Sequence, residues 1–98
     1  MRASWFLGRT VSAAGHPIGL VRDVLLDAAG EHVVGFEVEG ATGGRWFLPE
    51  ALATAGQPDG IDTESALHLV EDAAFYHRHG RSLASGAPDV EYRLRVPR

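Results

Sequence analysis

His77 and His79 stand a short step after Glu71 and Asp72, and imidazole with carboxylate is a ligand set for zinc or nickel. The spacing argues against a shared ion. Acids at the front of 71–79, His and Arg at its back and Gly80 as the stop all have the signs that a helix dipole favours. On a helix, residues two apart project to nearly opposite sides, so this pair reads as surface histidines near a helix end. His16, His32 and His68 are isolated in sequence. Carboxylate pairs for acid–base work can be drawn as Asp23 with Asp27 or Asp62 with Glu64, but such work needs pKa values pushed apart in a cleft. Asp23 lies within an otherwise apolar run, where its carboxylate is better suited to accepting backbone or arginine hydrogen bonds at a turn.

Other catalytic patterns fail on residue type. Asp59-Gly60-Ile61-Asp62 lacks the alternating oxygen ligands and terminal Glu of a calcium loop. Ser12, Ser65 and Ser82 sit in no nucleophile elbow, and the chain has no cysteine to serve as a thiolate. Gly40-Ala41-Thr42-Gly43-Gly44 lacks the Lys-Ser/Thr ending of a phosphate loop and reads as a hairpin turn. The sequence therefore assigns no catalytic, cofactor-binding or metal-binding residue, and the expectation is a protein that is not an enzyme and carries no cofactor.

Apolar residues offer a different chemistry. Trp46 and Phe47 are neighbours on an expected strand and must point to opposite faces, so one ring enters the core and the other needs cover from a helix or from a partner. Trp5, Trp46, Phe47 and, in the tail, Tyr92, Arg93 and Arg95 are the candidate interface residues. The formal charge of −4 opposes nucleic-acid backbones at long range. Six acids and no Arg or Lys lie from Glu50 to Asp72, whereas Arg93, Arg95 and Arg98 cluster at the end, so nucleic-acid contact is expected only through that arginine tail.

The elements that position these residues follow from turn chemistry and periodicity. A short strand over Gly8–Ser12 ends in Ala13-Ala14-Gly15, and a longer one runs from Ile18 to Leu26 with apolar residues on both faces. Asp27 to Glu31 is a turn in which Gly30 takes the left-handed conformation. Val34, Phe36 and Val38 alternate with Val33, Gly35, Glu37 and Glu39, a half-buried strand with the glutamates outward. Arg45–Leu48 returns as a strand stopped by Pro49, and 50–55 reads as a short helical turn. After the turn 57–60, the run Ile61–Leu69 reads as a strand leading into the helix at 71–79. Residues 86–98 form a linker and tail whose alternation over 90–96 suits an edge or exchanged strand. At 98 residues there is room for one small core. Apolar runs are too short for a membrane span or a secretory signal, so the expected compartment is the cytoplasm and no membrane contact is anticipated.

Leu7-Gly8 with Val11, Gly15, Ile18-Gly19 with Val21 and Asp23-Val24, the turn at Gly30, the strand Val33 to Val38 and Phe47-Leu48-Pro49 occur in an order that resembles the PRC-barrel family. That family includes the H subunit of photosynthetic reaction centres and ribosome-maturation factors. The resemblance spans about residues 5–85 and extends to Phe75-Tyr76, Gly80 and Leu83. It implies a mainly β fold, a small barrel of five or six mostly antiparallel strands with a helical turn near 50–55 and a C-terminal helix near 71–79. Gly8, Gly15, Gly19, Asp23, Gly30, Pro49 and Gly80 would define that fold. The resemblance is strongest to free-standing soluble members. It implies work by holding macromolecules together, hence a protein–protein interaction or assembly module that self-associates, with a homodimer or an unidentified protein as partner. The alternative it suggests is an accessory factor in RNA processing or ribosome assembly.

Overall fold

The computed structural model describes residues 1–56, 59–71 and 73–96. Its seven strands are β1 (Thr10–Ala13), β2 (His16–Leu26), β3 (Val33–Gly40), β4 (Arg45–Pro49), β5 (Thr54–Gly56), β6 (Gly60–Thr63) and β7 (Arg81–Ser82), with one helix, α1 (Ala73–His79). The sheet order is β4-β3-β2-β1-β6-β5, with β7 added to the far end of β2. All of these pairs are antiparallel except β1 with β6, which is parallel.

Local chemistry explains the meander. β1 and β2 are joined by Ala14 and Gly15, both at positive φ (50° and 83°), the two-residue turn whose twist matches a hairpin. Between Val21 and Asp23 the β2–β3 register slips, leaving Arg22 as a bulged residue that sharpens the twist. Asp27 then holds the β2–β3 turn: its Oδ1 accepts the Glu31 N–H at 2.9 Å, and the Gly30 N–H reaches the Asp27 carbonyl at 2.9 Å. Gly19 is needed where β2 meets β3, because a Cβ there would lie 2.5 Å from the Glu39 carbonyl oxygen.

Three expectations are corrected. The five- or six-stranded closed barrel is an open mixed sheet of seven strands, since β4 and β5 do not pair with each other among the described residues. Each edge is instead covered by a single bridge, β4 by Val70 through Phe47 and β5 by Arg95 through Thr54. Covering leaves fewer unpaired N–H and C=O groups than a bare edge would. The helical segment at 50–55 shrinks to one 3-10 turn, Glu50–Leu52, after which the buried Ala53 commits the chain to β5. The strand anticipated over Ile61–Leu69 stops at Thr63, and Ser65 caps a 3-10 turn at Ala66–His68 by accepting the Leu67 N–H. Of the anticipated helix at 71–79, residues 73–79 are helical, and Asp72 lies outside the described residues, as do Gln57 and Pro58 of the 57–60 turn and Arg98 of the tail.

One face of the sheet carries the main core, in which Phe6, Val21, Val24, Phe36, Val38, Leu48 and Ile61 are at most 2% exposed. Residues 89–96 pack onto it and are zipped to the start of the chain. Ala3 N–H donates to the Val90 carbonyl, Tyr92 N–H to the Met1 carbonyl, and the Ser4 hydroxyl to Asp89 Oδ2 at 2.6 Å. Leu94 thereby reaches the core, and Tyr92 sets its ring against the edges of Phe6 and Phe36.

The second face is smaller and is roofed by α1. Phe47 and Tyr76 stack with centroids 3.8 Å apart and planes 9° from parallel, with Leu25 and Val34 beside them. Gly35 makes the stack possible, since a Cβ there would sit 2.2 Å from the Phe47 ring. Gly80 plays a similar part where the helix ends, because a Cβ would come within 2.4 Å of the Leu26 carbonyl oxygen.

Candidate interaction surface

Two buried carboxylates on the roofed face are each held by their own set of donors. Asp23 and Glu37 are cross-strand partners, and both are buried on the side that α1 and the segment after it cover. Asp23 Oδ1 accepts N–H groups from Val24 at 2.8 Å and Ala84 at 3.1 Å, while its Oδ2 accepts the Ser82 hydroxyl. Glu37 takes Arg45 on one oxygen at 2.5 Å and His77 Nε2 on the other at 2.6 Å. Every lone pair facing a donor is occupied, an arrangement that ties the segment 77–84 to the sheet.

Alternation along β3 predicts Glu37 outward, whereas the helix covers it; His77 itself stays exposed while its Nε2 reaches Glu37. His79 faces away, 4.5 Å from the Phe75 ring centroid, so the two histidines diverge as the helix spacing dictates. His68 pairs with the Thr63 hydroxyl at 2.8 Å. Among the described residues, no three His, Asp or Glu side chains converge into a cation-sized group.

Elsewhere the carboxylates are held by nearby donors. Backbone N–H donation, chiefly from Glu31, keeps Asp27 below its ordinary value of 3.8. The Arg22 guanidinium holds Glu39 below 4.5, and Ser4 does the same for Asp89. Tyr92 is pushed well above the ordinary tyrosine value by burial and by donating its hydroxyl to Glu50 Oε1 at 2.8 Å.

The candidate interface residues fall into separate places. Phe47 is 1% exposed beneath Tyr76, so it is the ring that α1 covers. Tyr92 is half-buried in the aromatic cluster of the core, and Arg95 is fastened to Glu50 at 3.2 Å. Trp5 packs edge-on against Phe6 under the Arg9 guanidinium, which lies 3.9 Å from its ring centroid. Arg93 lines a separate hollow with Trp5, Leu94 and Val96. Of the expected fold-defining residues, Gly8, Gly15 and Gly30 have positive φ, and Pro49 ends β4 opposite Gly35.

Trp46 is half-buried. It points to the main-core side of the sheet but lies at the rim, where it lines an apolar hollow of about 250 Å³ with Ile18, Ala66 and Leu69. Leu67, on the 3-10 turn that forms the far wall, is 88% exposed. Ile18 also lines a second depression, shared with Leu20 and the Arg22–Glu39 ion pair. No sequence signal singles out Leu67, because the run Ile61–Leu69 reads as a strand until Ser65 caps a turn inside it.

Among the described residues no helix is long and apolar enough to cross a membrane. Comparison of the chain with protein-family models and with curated proteins finds no match.

Proposed function

We propose that this chain is a PRC-barrel-type module that does no chemistry of its own and works by protein–protein association, chiefly with a second copy of itself, in the cytoplasm. The observation that carries the reading is the apolar surface at Trp46, with Leu67 held out on a capped turn beside it. A leucine 88% exposed on an ordered turn gains nothing from water, and aromatic residues beside apolar hollows are the usual anchors of interfaces. The buried carboxylates support the same reading, since Asp23 and Glu37 are engaged by donors that fasten the roof of the fold.

Accessory work on RNA is less favoured by these contacts. Arg95 is committed to Glu50, which leaves Arg93 as the tail arginine without an ion pair among the described residues. Size-exclusion chromatography with light scattering tests association. The expected result is a mass approaching twice 10.5 kDa as concentration rises, and a strict monomer at high micromolar concentration would overturn the proposal.

A further inference from the structure

We infer that the groove filled by residues 89–96 also accepts that segment from a second copy, so that two chains exchange their tails. This goes beyond the Trp46 surface, since exchange needs a second copy and not that face. Among the described residues, every hydrogen bond made by 89–96 reaches back to residues 1–4, Glu50 or Ala55, and none runs to the elements directly before it. The tail is therefore a separable unit whose receptor is built by the rest of the chain. Arg2 and Glu91 face each other in an antiparallel bridge, and Arg95 lies along Thr54 in a parallel one. Tyr92 and Leu94 complete the core beside Phe6 and Phe36. A receptor that fits this segment in cis fits it equally in trans, and exchange keeps every one of these contacts.

The connection is what makes exchange accessible. Only Gly86, Ala87 and Pro88 separate the 3-10 turn Leu83–Ser85 from Asp89, the first tail residue, which Ser4 holds. Gly86 leaves that turn at φ 94°, and two backbone bonds close it, Gly86 N–H to the Leu83 carbonyl and Ala87 N–H to the Ser82 carbonyl. Short hinges invite swapping, because straightening one breaks a turn while the docked segment loses nothing. Glycine leaves the left-handed region without penalty, and Pro88 favours an extended Ala87, as an opened hinge requires. The seven strands and α1 all lie before the hinge, so none of them has to open. A closed chain holds its own tail at an effective concentration on the order of millimolar, so the exchanged dimer forms on refolding at comparable protein concentration.

The test places Arg2→Cys and Glu91→Cys together in a chain that has no other cysteine. Bridge partners of this kind lie about 4.5 Å apart at Cα, within reach of a disulfide, and both positions are exposed, so the fold should be kept. The protein is refolded at about 1 mM and at about 1 μM, oxidised, and run on a denaturing gel without reductant. The expected result is an internally bridged monomer at the low concentration and a covalent dimer at the high one, with neither single-cysteine variant giving a comparable dimer. Adding Gly86→Val should lower the concentration needed by about tenfold or more, because a β-branched residue is disfavoured at φ 94° while no neighbouring atom lies within 4 Å of its Cβ. Inserting three glycines after Gly86 should suppress the dimer. Internal disulfides alone at both concentrations, with and without Gly86→Val, would overturn the exchange. If that same protein is dimeric by light scattering before denaturation, the exchange fails while association through another face stands.

Discussion

Replacing Gly35 by alanine tests how the roofed face is built. A Cβ at this position would sit 2.2 and 2.5 Å from two carbons of the Phe47 ring and 2.6 Å from the Leu48 carbonyl oxygen, all well inside contact distance. The ring cannot retreat freely, because Tyr76 lies flat on it at 3.8 Å, and the Leu48 oxygen belongs to the β3–β4 ladder. Overpacking of a filled site costs about 1–3 kcal/mol. Loss of a good aromatic pair costs about 0.5–1.5 kcal/mol more. Against this, alanine relieves the roughly 0.5–1 kcal/mol that glycine sacrifices in a strand interior. The net is a destabilisation of about 0.5–4 kcal/mol, which in a domain of this size lowers Tm by roughly 2–30 °C. Thermal unfolding followed at 222 nm gives the number, and near-ultraviolet dichroism reports the Phe47–Tyr76 stack. Adding Phe47→Leu should recover part of the loss, because the two changes share one contact. A Gly35→Ala protein that melts at or above the wild-type temperature would refute the packing argument.

Four further outcomes are expected. Ala14→Asn should raise stability by about 0.5–1 kcal/mol in urea titrations, because asparagine tolerates the left-handed conformation that Ala14 adopts at φ 50°. Asp23→Ala should cost about 2–4 kcal/mol in the same assay, since it strips the acceptor from Val24 N–H, Ala84 N–H and the Ser82 hydroxyl at a buried site. Acid unfolding should reflect Asp27, Glu39 and Asp89, whose folded values lie below the ordinary 3.8 and 4.5. Their contribution is complete above the unfolded values and fades as pH falls through the lower folded ones, so Asp27→Asn should flatten the acid limb of a Tm-against-pH curve. Tyr92 acts with the opposite sense: its folded value is raised above 10.0, so its contribution holds below that pH and is lost as pH climbs past it, and Tyr92→Phe should make the alkaline limb shallower.

Turns and alternation made much of the sheet legible. Gly15 and Gly30 mark hairpins because they can take positive φ, and the alternation of Val34, Phe36 and Val38 places one face of β3 on the core. Barrel closure was not legible, since whether β4 meets β5 depends on which chain segment covers each edge, and Val70 and Arg95 are distant in sequence from the strands they bridge. Glu37 looked solvent-facing because period-two reasoning sees a single strand; only the docking of α1 turns that position into an interior one. The glycine opposite Phe47 was a readable hint, as glycine inside a strand often marks close approach of another group. Trp46 could be named as one of two rings facing opposite ways, yet which of them stays uncovered follows from Tyr76, thirty residues later in the chain.

The most direct test of self-association through the Trp46 face is an isotope-filtered NOE experiment on an equal mixture of labelled and unlabelled protein at high concentration. The account expects intermolecular cross-peaks to the Trp46 indole protons. A dimeric sample that shows intermolecular contacts elsewhere and none at this ring would contradict it.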